Sequence, residues 1–223
     1  SKRQEAYLPE IWPTYFSKSK GCNVWDLDNK KYYDFSLMGV GTNLLGYSNY
    51  NVDKAVLKNI KRGNMTTLNC PEEVELADKL TAIHPWSDMV RFTRSGGEAN
   101  AVSVRIARTY SKKQKILVCG YHGWHDWYLS SKKKNTKFFS NHLPTTIKTG
   151  GIPKTMEKDI FIFKYNDFEN FKKIYSKNKN DIGIVKMEVS RNVPPKENFL
   201  KNIREFCNNN NLVLIFDECT SGF

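Results

Sequence analysis

Hydrophobic positions along this chain follow two periods, and the change from one to the other organises it. Val24-Trp25-Asp26-Leu27 and Tyr32-Tyr33-Asp34-Phe35 flank Asp28-Asn29-Lys30, a strand–turn–strand pattern whose Asp-Asn pair suits a hairpin turn. The first twenty residues, with Pro9 and Pro13, carry no such pattern. A helical period follows. Val52, Val56 and Ile60 recur behind a capping Ser48 or Asn49, and Gly63 stops the run. Pro71 opens a second helix with Val74, Ala77, Leu80 and Ile83, and Pro85 closes it.

From Met89 onward short apolar runs alternate with helical patterns. Strands are expected at 89–93, 116–119, 160–163, 182–187 and 212–216. Helices are expected at 97–110, after an Asp167 cap, and at 197–209. The strands are continuously apolar, as in Leu212-Val213-Leu214-Ile215-Phe216, and helices separate them. That pattern predicts an α/β fold in which a mainly parallel sheet is covered on both faces, giving three layers.

Composition narrows the choices. The 223 residues carry 13% aromatic and 26% charged side chains, enough to build a core. No apolar run reaches the roughly 18 residues that a membrane helix needs. The net charge is +12, mostly lysine spread along the chain, with one compact run at Lys132-Lys133-Lys134. A basic chain can bind nucleic acid, but the aromatics concentrate in the apparent core and near 121–128. We therefore expect no nucleic-acid or membrane partner. A non-enzymatic binder of phosphorylated or nucleic-acid ligands is the lower alternative. Cys22, Cys70, Cys119, Cys207 and Cys219 are odd in number and lack CxxC spacing, which suits free thiols and a cytoplasmic location.

Ligands of open parallel sheets sit beyond the carboxyl ends of the strands, and four such ends carry suitable chemistry. Ser95-Gly96-Gly97 precedes a helix. It is either an ordinary Ser-capped start or a phosphate cradle, where close backbone N–H groups meet the positive end of the helix dipole. It matches neither GxGxxG nor a Walker loop. Tyr121 lies in Cys119-Gly120-Tyr121-His122-Gly123-Trp124-His125-Asp126, where an aromatic ring could stack on a planar ligand. Cys119, His122 and His125 also invite a metal reading, though a fourth ligand is missing and we expect no metal. Glu188 and Asp217 are carboxylates placed directly after buried strands, each a structural ion pair or a ligand group. Together, cradle, stacker and carboxylate suit a planar phosphorylated heteroaromatic cation. Pyridoxal 5'-phosphate fits that description.

The same residues resemble the class III pyridoxal-phosphate aminotransferases, most of all their glutamate-1-semialdehyde aminomutase-like branch. The resemblance runs from 21–34 (G-x-x-V-W-D-x-D-x-x-x-Y-x-D) to the end of the chain. It is most specific at 94–100, 120–126 and 215–223 (IFDECTSGF). It implies the large domain of a fold type I transferase, incomplete at its C-terminal end, over residues 48–223. Residues 1–47 would belong to a smaller domain.

It also implies amino transfer between an amine or amino acid and a carbonyl acceptor, with an intramolecular aminomutase as the alternative, and a homodimer. Carried over residue by residue, Ser95, Gly96 and Gly97 match the phosphate turn and Tyr121 the ring stacker. Asp217 matches the catalytic carboxylate on the pyridine nitrogen, and Glu188 the Glu of an E-P-V segment. Here Val189-Ser190 follows Glu188 where the family has Pro-Val. The family's cofactor-bearing lysine lies beyond the Asp segment. No lysine follows Asp217 here, so the chain reads as an N-terminal portion.

Overall fold

The computed structural model describes residues 13–36, 38–39, 41–133, 150–190 and 193–222. The Lys132–Lys134 side chains, the segment before Pro13 and Phe223 lie outside the described residues. The chain forms two compact units, Ser1–Val90 and Arg91–Phe223.

In the first unit, β1 (Lys18–Lys20), β2 (Asn23–Trp25) and β3 (Lys31–Tyr33) form an antiparallel sheet in that order. The expected hairpin is β2–β3, with Val24 opposite Tyr32. Asp26 makes its turn: Oδ1 accepts the Asp28 and Lys30 N–H groups at 3.0 and 2.9 Å, and Asn29 takes a positive φ of 62°. Strand β1 carries no apolar signal, and backbone pairing to β2 creates it. Helices α1 (Tyr50–Arg62) and α2 (Pro71–Ile83) follow. The Asn49 side chain caps α1 by accepting from Asn51 and Val52, and Gly63 ends it at φ 96°. Pro71 occupies the first turn of α2, where a missing N–H costs nothing.

In the second unit, α3 (Gly96–Ser111) leads to β4 (Lys115–Cys119), then a one-turn helix α4 (Asp126–Leu129). After it come β5 (Ile160–Ile162), α5 (Phe168–Ser176), β6 (Ile182–Glu188), α6 (Phe199–Asn209) and β7 (Val213–Asp217). The four strands form one parallel sheet in the order β5-β4-β6-β7. Strand alternation sorts the core into two layers. Ile116, Val118, Ile160 and Ile184 pack on Val104 and Ala107 of α3. Leu117, Cys119, Val185 and Met187 pack on the other face against Phe171, Tyr175, Phe199, Ile203 and Cys207 of α5 and α6. The expected three-layer α/β architecture is the one observed.

The 89–93 segment departs from expectation, because it joins no sheet. Its apolar pattern suits a strand, but a strand exists only when its N–H and C=O groups find a ladder. No such ladder forms among the described residues. The helix expected from 197 begins at Phe199, behind Asn198 in the left-handed region at φ 61°.

Candidate active site

The chain passes from β4 to edge strand β5 and returns on the opposite side of β4 as β6. The strand order thus reverses between β4 and β6, which opens a crevice beyond their carboxyl ends. Tyr121 follows β4 there, and Glu188 ends β6. The Tyr121 N–H donates to Glu188 Oε2 at 2.9 Å across this crevice. Gly120, at φ 98°, lies so close to the Glu188 carboxylate that a side chain there would collide with it. Glu188 is buried and holds the backbone on which the Tyr121 ring is mounted. Tyr128 supports that ring from the side, edge-on at 6.0 Å, and its hydroxyl donates to the Gly120 carbonyl at 2.6 Å.

Asp217 ends β7 in register with Glu188. Its Oδ2 lies 2.9 Å from His122 Nδ1, and its Oδ1 accepts the Cys219 N–H at 3.2 Å. His122 is fully buried, with Nε2 3.1 Å from the Cys119 carbonyl. Both of its neighbours are acceptors, so a ring with one N–H satisfies one of them. The charge-assisted bond to Asp217 is the stronger. Burial pushes the His122 pKa down, outweighing the hydrogen bond to Asp217. Burial works to raise the Asp217 pKa. The His122 hydrogen bond, the Lys186 charge and the Cys219 N–H act against it, and the carboxyl sits below its usual range.

The glycine turn faces the same place. Ser95 is the N-cap of α3, its Oγ accepting the Glu98 N–H at 3.3 Å, while Glu98 Oε2 accepts the Arg94 N–H at 2.8 Å. The first N–H groups of α3 have no acceptor within the helix, and a side chain at Gly96 would meet nothing within 4 Å. Gly97 is tightly packed: a Cβ there would lie 2.9 Å from His125 Nε2, and one on Gly123 would lie 3.1 Å from Gly97 Cα. His122 therefore touches the Asp217 carboxylate while its neighbour Gly123 touches the glycine turn. Two consecutive residues bring the β7 end and the α3 start together. A carboxylate, an aromatic ring and a dipole-backed turn of donors around one crevice suit a phosphorylated heteroaromatic cation.

The structure gives other uses to the Cys119, His122 and His125 side chains. Among the described residues, no group of three or more His, Cys, Asp or Glu could hold a metal. Val189, where the resemblance expects proline, brings a backbone N–H to this strand end. The Val189 N–H reaches the Asp217 carbonyl at 3.4 Å, and its carbonyl accepts the Tyr165 hydroxyl at 2.7 Å. The sequence pattern offers His122 only as a metal candidate and does not single out Lys186. The latter's signal was a single charge inside the apolar run Ile182-Gly183-Ile184-Val185-Lys186-Met187.

Comparison with known proteins shows the family. The family model described as Aminotransferase class-III matches residues 8–223. The chain is 34% identical to a 3-aminobutyryl-CoA aminotransferase of Cloacimonas acidaminovorans, covering all of this chain and 51% of that protein. It is 33% identical to a glutamate-1-semialdehyde 2,1-aminomutase of Nitrosopumilus maritimus, covering 96% of this chain and 50% of that protein. An omega-transaminase structure from Sphaerobacter thermophilus superposes with a TM-score of 0.85 at 25% identity, over 99% of this chain and 52% of that one. The chain spans about half the length of the relatives it matches.

Proposed function

The chain belongs to the class III aminotransferase family, and we propose on that premise that its second unit holds one side of a pyridoxal 5'-phosphate site. Ser95 and the Gly96 and Gly97 N–H groups at the start of α3 bind the phosphate. Tyr121 lies against the ring face, Asp217 receives the ring nitrogen, and Glu188 acts through the Tyr121 backbone. When bound, the cofactor supplies an electron sink for chemistry at the substrate carbon that bears the amine. Asp217 keeps a positive charge on the ring nitrogen favourable, and the His122 bond fixes the carboxylate that does so. Among these 223 residues no lysine follows Asp217.

The reaction is movement of an amino group between a small amine or amino acid and a carbonyl acceptor. Intramolecular transfer is the second reading, favoured by the aminomutases among the relatives. A homodimer follows from the family resemblance. The five free cysteines support a cytoplasmic location. No helix among the described residues is long and apolar enough to cross a membrane. Neither nucleic acid nor a membrane is among the proposed partners.

The observation that carries the reading is the His122-Gly123 step, which joins the Asp217 carboxylate to the glycine turn. The test is single-turnover transamination by the whole protein and its Asp217→Ala variant, with cofactor absorbance recorded. Turnover falls by orders of magnitude in the variant, since such charge stabilisation is worth roughly 3 kcal/mol or more. A near-wild-type rate removes Asp217 from the role assigned here.

A further inference from the structure

Lys186 is a charged residue in the middle of a buried strand. It is 2% exposed, and every residue of β6 is buried. Alternation along β6 puts it on the face of Ile184 and Glu188, toward α3. Its Nζ lies 3.2 Å from the Ser103 hydroxyl of that helix. On β7 the residues packed on this face are Val213 and Ile215, so Asp217 completes the same row. Lys186 is in register with Ile215, and Glu188 with Asp217. The ammonium thus lies one step behind the carboxylates at the strand ends.

A buried ammonium is costly unless it is compensated, and a single neutral hydroxyl compensates it poorly. Three titratable groups lie toward this end of the face, and the charge of the Asp217 carboxylate is the one that favours the ammonium in its surroundings. His122 comes from the end of β4, Asp217 from β7 and Glu188 from its own strand. From α3 the nearby polar group is Ser103. The charged side chains of that helix are occupied elsewhere: Glu98 accepts the Arg94 N–H, Arg108 Nε donates to the Gln114 carbonyl, and Arg105 is exposed. Glu188 already accepts the Tyr121 N–H. Asp217 is the carboxylate on this face that the site requires to be ionised.

We propose that Lys186 is a positioning residue for Asp217, a fixed counter-charge behind the site that keeps the carboxylate ionised before any ligand arrives. Its consequence for catalysis rests on the reading of Asp217 given above; its effect on the carboxylate does not. The attraction lowers the proton affinity of Asp217 and raises that of Lys186, and the same positive charge disfavours a second one on His122. Sequence separation hides this arrangement, since Lys186 lies 83 residues from Ser103.

The test reads protons on the cofactor-free whole protein. Carboxyl-carbon NMR follows Asp217 and imidazole NMR follows His122 across pH in wild type, Lys186→Met and Lys186→Arg. In Lys186→Met, a variant of similar length without charge, both midpoints rise, that of Asp217 by about tenfold in proton affinity. Lys186→Arg restores them. A folded Lys186→Met with both midpoints unmoved overturns the proposal and leaves Lys186 a packing residue.

Should Lys186→Met not fold, the reciprocal measurement decides. The Lys186 ammonium is titrated in wild type and Asp217→Asn, and by linkage its midpoint falls in the variant. An unchanged midpoint there also overturns it. Pyridoxal 5'-phosphate added afterwards reports separately, through its absorbance, whether the cofactor reading itself holds.

Discussion

Replacing Lys186 with Met should stabilise the fold at neutral pH and lose that advantage as pH rises. Burial pulls the Lys186 pKa from 10.5 down to about 8, against the opposing pull of Asp217. Below pH 8 the amine is protonated in both folded and unfolded chains, so the folded state bears the whole cost of the buried ammonium. Between about 8 and 10.5 the folded chain has lost the proton and the unfolded chain keeps it. The unfolded state then binds more protons, and stability rises with pH across that window. Above 10.5 both states are neutral and the cost is gone. The gap between the two values corresponds to about 3 kcal/mol, at roughly 1.4 kcal/mol per pH unit. Urea unfolding of wild type and Lys186→Met from pH 7 to 10.5 measures it as the pH-dependent part of their difference. Cys207, whose thiol burial pushes up to about 12, titrates in both proteins and cancels. A difference that stays constant over this range refutes the account of Lys186 as a buried ammonium.

Gly120→Ala places a side chain at φ 98° against the Glu188 carboxylate and should cost about 2 kcal/mol or more. Urea midpoints test this, and a loss below about 0.5 kcal/mol would contradict the close approach. Ile203→Ala in α6 opens a cavity in a fully buried cluster and should cost about 2–5 kcal/mol with an unchanged denaturant slope. A cost near zero would mean that α6 does not pack on the sheet as described.

Elements were legible in the sequence wherever their cause was local. The stripe Val52, Val56, Ile60 with its Asn49 cap needed only helical periodicity. The Asp167 cap, Pro71 and Gly63 acted through backbone geometry within a few residues. Continuous apolar runs announced parallel strands, buried in β4 and β6 and half-buried in the edge strand β7. The strand-end rule then picked out Tyr121, Glu188 and Asp217 as candidates, while Ser95, Gly96 and Gly97 were picked out behind a run that forms no strand. Where the cause was distant, the sequence was silent or misleading. Strand β1 owes its existence to β2 rather than to its own Lys18-Ser19-Lys20. The 89–93 run has strand-forming residues and no ladder.

The function of each polar group belonged to the tertiary structure. Glu188 could have faced a ligand; register and the approach of Gly120 turn it toward the Tyr121 N–H, 67 residues away. His122 could have bound a metal; the parallel pairing of β4, β6 and β7 sets it against Asp217, 95 residues on. Lys186 became significant only once alternation along β6 placed it on the face shared by α3 and the Asp217 row. Periodicity and capping are encoded within one or two turns of chain. The partner of a buried charge is set by strand order and register, which emerge only when the sheet closes and desolvation forces each polar group to find its counterpart.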